Sequence, residues 1–230
     1  MKRTIQFFSS IVFFAFVGCS NPEAGDKSEP DNSGVTSTTE KSESEDKVIL
    51  FFGNSLSAGY GVEADESFPA LIQMRIDSLD LPYTVVNAGV SGETTATGLS
   101  RIDWVLEKQD VDIFVLELGA NDGLRGLPPS ETKKNLITMI DRVRKVHPES
   151  KIILAGMMVP PSMGEEYSSM YNPIYGEIAK EKDVELIPFL LQDVGGVDSL
   201  NQSDGIHPNP AGAKIVAENV WDVLGPMVGE

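Results

Sequence analysis

The sequence predicts an α/β fold in which helices cover both faces of a five-stranded parallel sheet. Short runs rich in Val, Ile, Leu and Phe recur along the chain, and a helix-length segment of mixed polarity follows each run. Parallel strands that are buried on both faces have this nearly continuous apolar character. Five such strand and helix pairs fit a three-layer, flavodoxin-like sheet of order 2-1-3-4-5.

The predicted elements alternate in regular order along the chain. Strands are expected at residues 48–52, 83–86, 112–118, 151–155 and 184–189. Helices are expected at residues 68–79, 95–107, 130–146, 165–182 and 210–224. This region contains no internal repeat, so a single domain over residues 47–230 is predicted.

The start of the chain has a different composition. Residues 5–17 are nearly all apolar and directly follow Lys2 and Arg3, a pattern typical of a secretory signal. A membrane span would need roughly 20 apolar residues, and this run is shorter. The single cysteine, Cys19, stands just after the run. Residues 1–18 are therefore predicted to be a signal peptide.

The surroundings of Cys19 resemble a bacterial lipoprotein signal, in which the cysteine becomes the lipidated first residue. Phe16 stands where that signal usually has Leu, and a cleaved signal with an incidental cysteine is the alternative. The resemblance implies an exported lipoprotein, periplasmic or associated with the outer membrane, that meets the membrane through its lipid anchor. A chain with one cysteine forms no internal disulfide.

Acidic and small polar residues dominate the segment that follows Cys19. Residues 20–46 contain no aromatic residue and almost no aliphatic one, so residues 19–46 are predicted to be a disordered, acidic, Ser/Thr-rich tether. The whole chain has a formal net charge of −17, which repels phosphate backbones and excludes nucleic acid as a partner. We expect a monomer that binds a small molecule.

Chemically useful residues follow three of the predicted strands. Ser55 comes directly after the first strand, Gly92 follows the second and Asn121 follows the third. Sites in such sheets gather at the carboxyl ends of the strands, and the predicted order places strands two and three beside strand one. The backbone N–H groups of Ser55 and Gly92 and the amide of Asn121 are therefore predicted to form an oxyanion hole.

A serine needs a base before it becomes a strong nucleophile, and the chain has two histidines. His147 joins a helix to strand four, at the opposite edge of the sheet, and is interpreted as an ordinary surface loop residue. His207 follows strand five, and residues 190–204 are long enough to cross the roughly 14 Å back to strand one. Asp204 lies three residues before His207 and is predicted to accept its Nδ1 proton.

These residues form the predicted catalytic set Ser55, Asp204 and His207. Together with Gly92 and Asn121, they lie within four segments that resemble the blocks of the SGNH hydrolases: GNSLSAGYG, VSGET, LGANDGLRG and DGIHPNPAG. The blocks occur in the order of that family and resemble most its bacterial thioesterase, lysophospholipase and arylesterase subgroup. The resemblance implies the three-layer SGNH fold and hydrolysis of acyl esters or thioesters through an acyl-enzyme on Ser55. It also implies that the enzyme needs no metal and no organic cofactor.

The chain departs from the family at one position, because Asn54 stands where the family usually has Asp. A structural hydrogen-bonding role survives this change better than a role that needs charge. By the resemblance, residues 124–129 correspond to a mobile loop beside the acyl pocket, and a plain link into the next helix is the alternative. Met157, Met158, Pro160 and Pro161 are expected to influence the depth of that pocket.

Two other functions stay open at this point. A carbohydrate acetylesterase is one, since the same four blocks serve that chemistry. The other is a lipid-anchored module that binds carbohydrate or lipid without turnover. In that case Asn54, in place of the usual Asp, would indicate that catalysis has been lost. In that second case Ser55, Asn121 and His207 would be ordinary turn, cap and loop residues.

Overall fold

The computed structural model describes residues 46–229. The predicted signal peptide, Cys19 and the predicted tether as far as residue 45 lie outside the described residues. Of the predicted catalytic domain, residues 47–229 are described.

Five strands form one parallel sheet: β1 (Lys47–Gly53), β2 (Tyr83–Asn87), β3 (Ile113–Glu117), β4 (Lys151–Ala155) and β5 (Glu185–Ile187). Their order is β2-β1-β3-β4-β5, which confirms the predicted order. Phe51 of β1 pairs with Asn87 of β2 and with Val115 of β3. The same register sets Gly53, at the end of β1, beside Glu117, at the end of β3.

The described residues contain eight helices. They are α1 (Ser55–Ala58), α2 (Phe68–Ser78), α3 (Thr95–Leu106), α4 (Ala120–Leu124), α5 (Pro129–Val146), α6 (Glu165–Tyr171), α7 (Ile174–Lys182) and α8 (Pro210–Val228). α2 packs against α8, while α3, α5 and α7 pack in series. Right-handed crossovers in this strand order place those two groups on opposite faces of the sheet. Three layers result, as predicted.

The three central strands form the core of the fold. Every residue of β3 is buried, and so are Ile49 to Phe52 of β1. Burying each large side chain of this kind stabilises the fold by about 1.5 to 3 kcal/mol. The edge strand β2 differs from the prediction, because its side chains are only half-buried or exposed. Between residues 46 and 229, no helix has the length and apolar character required to cross a bilayer.

Two prolines account for further differences from the predicted elements. The single helix expected at residues 165–182 is two helices, α6 and α7, which are separated by Asn172 and Pro173. Proline has no N–H, and its ring clashes with the carbonyl four residues earlier, so it interrupts a helix. The strand expected at residues 184–189 shortens to Glu185–Ile187, because Pro188 cannot donate to the sheet.

Candidate active site

The turn after β1 presents Ser55 at the carboxyl edge of the sheet. Asn54 caps α1, and its Oδ1 accepts a hydrogen bond from the Leu56 N–H at 2.9 Å. Ser55 is the first residue of α1, where backbone N–H groups have no partner within the helix. A Cβ on Gly53 would lie 2.2 Å from the Ser57 Oγ, so the turn needs glycine there. Ser55 itself is 8% exposed.

Ser55 and His207 meet across 152 residues of sequence. The Ser55 Oγ lies 2.8 Å from the His207 Nε2, and the His207 Nδ1 lies 2.7 Å from an Asp204 carboxylate oxygen. With the proton on Nδ1, the ring donates to Asp204 and leaves Nε2 free to accept the serine proton. The three residues therefore have the geometry of a serine, base and carboxylate relay.

The loop after β5 carries His207 and is clasped to the turn after β1. The side-chain amide of Gln202 donates to the carbonyls of Tyr60, at 2.7 Å, and Pro208, at 3.0 Å. The Gln202 N–H also donates to the His207 carbonyl at 2.8 Å. A Cβ at Gly61 would lie 2.1 Å from the Gln202 side chain, so glycine admits this contact. This clasp, formed by Gln202 and the carbonyls that it contacts, connects the loop after β5 to the turn after β1.

Tyr60 also contacts the catalytic ring directly. Its ring centroid lies 4.7 Å from that of His207, with the two ring planes inclined by 45°. About half of the Tyr60 side chain is exposed, so the ring covers one side of the imidazole from solvent. Aromatic contact of this type restricts how far the imidazole can rotate.

The Asp204 carboxylate is held by more than the histidine. One of its oxygens accepts the backbone N–H groups of Ile206, at 2.9 Å, and His207, at 3.1 Å. The hydrogen bond from the His207 ring is the main reason that the pKa of Asp204 falls to about 2, and the two backbone donors lower it further. Asp204 is therefore an anion at every pH at which an esterase is normally assayed.

Asn121 reaches the same cleft from the third strand. It lies in α4, and the preceding turn is supported by Tyr171 and Tyr175, whose hydroxyls donate to the carbonyls of Gly119 and Leu118. The Asn121 Nδ2 donates one hydrogen to the Glu93 carbonyl at 3.0 Å. An amide nitrogen carries two hydrogens, so the second can serve a bound oxygen.

Gly92, which is predicted to help form the oxyanion hole, lies in the loop between β2 and α3. It is exposed, with a φ of +81°, and its carbonyl accepts from the Arg125 guanidinium at 3.0 Å. It does not belong to the residues that line the cleft beside Ser55. Through Glu93, its neighbour, the loop is nevertheless joined to Asn121.

An ion pair anchors the loop that carries Gly92. Arg101 of α3 forms two hydrogen bonds with the buried Glu93 carboxylate, at 2.5 and 2.6 Å. The same guanidinium donates to the Ala88 carbonyl at 2.8 Å and to that of Gly53 at 3.4 Å. It also lies over the Phe52 ring, 4.0 Å from its centroid. Arg101 thus joins the loops after β1 and β2.

A fully buried carboxylate, Glu117, lies under the nucleophile turn. It accepts hydrogen bonds from the backbone and side chain of Asn54 and of Ser57. Burial raises the pKa of Glu117 to about 7, although these hydrogen bonds oppose the shift. Glu117 is not among the residues predicted from the sequence motifs. A charged side chain inside the apolar run of a central strand was the available signal, because an acid is rarely placed there without partners.

A cleft of about 500 Å³ opens beside Ser55 and His207. Asn54, Asn121 and Asn172 also line it and add polar groups to the lining. The rest of the lining is mainly apolar and comes from the loops after β3, β4 and β5: Leu124, Met157, Met158, Val159, Pro160, Pro161, Phe189, Leu191 and Ile206. The two methionines and two prolines that were expected to shape the pocket all line it.

The remaining predicted features lie where their positions in the sequence suggest. His147 follows α5 and is half-buried, and its Nε2 contacts the Leu106 carbonyl at 3.1 Å, far along the chain from the serine turn. In the segment 124–129, the Leu127 carbonyl accepts from the Tyr167 hydroxyl at 2.6 Å. Across residues 46–229, no three His, Cys, Asp or Glu side chains are grouped as ligands of a metal ion.

Comparison with known proteins gives consistent matches. Residues 51–215 match the model of the GDSL-like Lipase/Acylhydrolase family. Esterase TesA of Pseudomonas aeruginosa is 38% identical over 79% of this chain and 90% of its own length. Thioesterase 1/protease 1/lysophospholipase L1 of Escherichia coli K12 is 36% identical over 79% of this chain and 85% of its own.

Solved structures match the fold as well. The psychrotrophic esterase EstA from Pseudoalteromonas sp., in a structure inhibited by monoethylphosphonate, superposes with a TM-score of 0.75. The two sequences are 30% identical, and the match covers 80% of this chain and all of EstA. Sheet order, site geometry and sequence similarity therefore agree.

Proposed function

Because the chain belongs to the GDSL-like lipase/acylhydrolase family, it is a serine hydrolase of the ester or thioester type, and we propose that Ser55 carries its acyl intermediate. The observation that carries the proposal is the hydrogen-bonded series Ser55, His207 and Asp204, with contacts of 2.8 and 2.7 Å beside a mainly apolar cleft. A serine hydroxyl in contact with an oriented imidazole is the arrangement that nucleophilic catalysis requires.

Acylation begins when His207 takes the proton of Ser55. The Nε2 accepts the hydrogen of Oγ as Oγ attacks the carbonyl carbon, and the imidazolium that forms is stabilised by the Asp204 anion. His207 then gives the proton to the departing alcohol or thiol. Deacylation repeats the sequence with water as the nucleophile and His207 again as the base.

Three donors are proposed for the oxyanion. They are the Ser55 N–H, which has no partner within α1, the second hydrogen of the Asn121 amide, and the Gly92 N–H. Losing one such donor typically costs about 3 to 4 kcal/mol of transition-state stabilisation. Gly92 would have to approach the substrate from its exposed loop, so we expect it to contribute less than Asn121.

The cleft supports a substrate with an apolar acyl group. Its lining is mainly Met, Leu, Pro, Val and Phe, and its polar side chains come from Asn54, Ser55, Asn121, Asn172 and His207. Such a surface gains free energy by removing an acyl chain from water, whereas it offers few partners to the hydroxyls of a sugar. Arylesterase, acyl thioesterase or lysophospholipase activity is therefore favoured over carbohydrate acetylesterase activity. The relatives TesA and thioesterase 1 carry esterase and thioesterase names, which supports this class.

The first test replaces the nucleophile. We expect Ser55→Ala to lower hydrolysis of a short-chain nitrophenyl ester by about 10⁴-fold or more, because no other group forms the acyl-enzyme. The midpoint of thermal unfolding should stay within a few degrees of wild type, since one oxygen is removed. An alkyl phosphonate should label the wild type and not the variant, as the EstA structure with monoethylphosphonate suggests.

Ser100→Ala is the matched control, because Ser100 is exposed and bonds only to a carbonyl in its own helix. It should keep full activity and full labelling. An active, labelled Ser55→Ala protein would refute the assignment. A panel of acyl thioesters, lysophospholipids and acetylated sugars then decides the substrate class. A wild-type protein that binds these ligands without turnover would indicate the binding module instead.

We also propose that the chain is an exported bacterial lipoprotein, anchored at Cys19 and located in the periplasm or at the outer membrane. The proposal is supported by the sequence of residues 1–19. An anchored hydrolase with an apolar cleft would meet acyl lipids at the membrane surface, where such substrates are concentrated.

A further inference from the structure

The buried carboxylate of Glu117 binds the nucleophile turn on both sides of Ser55. Its Oε1 accepts the side-chain amide of Asn54 at 2.7 Å. Its Oε2 accepts the Asn54 N–H at 3.0 Å, the Ser57 N–H at 3.2 Å and the Ser57 hydroxyl at 2.8 Å. Four donors therefore converge on one carboxylate, directly behind the nucleophile.

This polar cluster is closed to solvent. Glu117 and Ser57 are 0% exposed and Asn54 is 1% exposed. The Tyr175 phenol faces the cluster from the helix side, and burial raises the pKa of Tyr175 well above its usual range. On the other side the Arg101 and Glu93 ion pair approaches the turn through the Gly53 carbonyl, and His207 reaches it only through Ser55. Glu117 is therefore the acid that acts directly on the turn.

The hydrogen bonds fix the orientation of the Asn54 amide. Its Oδ1 accepts the Leu56 N–H, so its NH2 group must point at Glu117. Position 54 thus needs one acceptor and one donor on the same short side chain. An amide supplies both, whereas an ionised carboxylate supplies two acceptors.

We propose, on the basis of the function proposed for Ser55, that Glu117 is a positioning residue that fixes the nucleophile turn, and that Asn54 is its dedicated donor. Asn54 stands where the family usually has Asp before the nucleophile. In this chain Glu117 lies one strand away, on β3, and the amide at position 54 connects its carboxyl group to the turn. Asn54 is thus part of the catalytic apparatus and is no sign of lost turnover.

The pairing predicts what an acid at position 54 would do. In Asn54→Asp, two carboxyl oxygens would meet at the 2.7 Å now spanned by the amide. Two carboxyls this close share one proton, because both cannot be ionised at that distance without strong repulsion. The shared proton is lost as the pH rises, so the ratio of variant to wild-type kcat should fall at alkaline pH.

Glu117→Gln should also lower activity, because it would place two donors opposite each other where Asn54→Asp places two acceptors. If the Gln oxygen keeps the donors of Oε2, its NH2 group faces the NH2 group of Asn54, and two donors oppose each other. We expect kcat to fall by about tenfold with KM changed less than twofold, within the coupling seen between contacting residues. In the double variant that combines Glu117→Gln with Asn54→Asp, a donor again faces an acceptor, because the Gln amide at position 117 can donate to the Asp carboxylate at position 54.

The experiment measures kcat and KM from pH 5 to 9 for wild type, Asn54→Asp, Glu117→Gln and the double variant. The proposal expects the double variant to recover to within about threefold of wild type and to lose the alkaline decline. It is overturned if the two losses multiply in the double variant, or if Asn54→Asp follows the wild-type pH profile. Should Glu117→Gln not fold, recovery of folding in the double variant counts as the rescue, and its failure to fold overturns the proposal.

Failure of the proposed function would look different. In that case the wild type itself would show no hydrolysis that depends on Ser55, and kcat could not be used. Urea unfolding of the same four proteins then measures the pairing without turnover. A coupling free energy near zero in that cycle overturns the pairing, and a favourable one supports it.

Discussion

At the scale of single residues, the orientation of the His207 ring depends on both of its nitrogens. The Asp204 carboxylate accepts the proton on Nδ1, and the Ser55 Oγ lies next to Nε2. Only the neutral tautomer with its proton on Nδ1 therefore suits both contacts. Two backbone N–H groups hold the Asp204 carboxylate independently of the ring. The carboxylate therefore keeps its place while the histidine gains and loses its proton.

Replacing Asp204 should separate orientation from folding. In Asp204→Asn the oxygen can still accept the two backbone donors, but the NH2 group opposes the Nδ1 proton and favours the wrong tautomer. We expect kcat to fall by roughly 10³ to 10⁴-fold with KM little changed. Steady-state kinetics and a thermal unfolding curve check both parts.

Asp198→Asn is the control for this change, since Asp198 begins a single 3₁₀ turn ahead of the same loop. Its activity should equal that of wild type. A tenfold or smaller loss in Asp204→Asn would contradict the role proposed for the carboxylate. Because the pKa of Asp204 is lowered to about 2, its protonation contributes nothing to any activity change above about pH 4.

Some residues of the site could be predicted from the sequence, and others could not. Ser55, Asn121 and His207 each follow a strand, so a prediction of the strand order was enough to group them, and the structure brings all three to one cleft. Glu117 was overlooked because its partners are backbone N–H groups and short side chains that no spacing rule connects. Gly92 lies in an exposed loop, and its role beside the serine stays a prediction.

At the scale of elements, the loop between β2 and α3 depends on the buried Glu93. The Glu93 side chain is 5% exposed, and its two hydrogen bonds to Arg101 compensate for the loss of water. A buried carboxylate without its partner is strongly unfavourable. The loop that presents Gly92, and the Glu93 carbonyl that fixes Asn121, therefore share one support.

Removing that support should affect stability and activity together. We expect Arg101→Met to lower the free energy of unfolding by about 3 to 5 kcal/mol, because Glu93 remains buried and unpaired. Urea unfolding measures the change. Lys134→Ala is the control: its pair with Glu131 spans 3.9 Å on the surface, so it should cost less than about 1 kcal/mol. Equal effects of the two changes would contradict this account.

Element boundaries were predictable only where tertiary contacts agree with local pattern. The apolar runs located all five strands, and the confirmed order is one of the common orders for parallel strands that alternate with helices. The helix boundary at Pro173 was not predicted, because residues of mixed polarity continue through both α6 and α7 and resemble one helix over residues 165–182. The exposure of β2 follows from its place at the edge of the sheet, which depends on strand order and not on its own residues.

At the scale of the whole molecule, the cleft is built from segments that are far apart in sequence. The turn after β1 supplies the nucleophile, while the loops after β3, β4 and β5 supply the amide, the apolar lining and the base. All of these groups lie within residues 46–229.

The proposed anchor can be tested apart from catalysis. In a bacterial host, Cys19→Ser should abolish incorporation of labelled fatty acid and move the protein from the membrane fraction to the soluble fraction. Activity per molecule should not change, because the cleft is formed without Cys19. Ser28→Ala, in the predicted tether, should behave as wild type. A wild-type protein that is soluble and unlabelled would contradict the anchor.

Because Gln202 holds the loop after β5 against the Tyr60 carbonyl, activation of Ser55 depends on residues that are synthesised much later than Ser55 itself. Ser55 leaves the ribosome about 150 residues before the imidazole that activates it. Until His207 has been made and its loop has docked on the turn after β1, the serine is an ordinary alcohol. A nascent chain that ends before residue 207 therefore has no activated serine and does not hydrolyse esters.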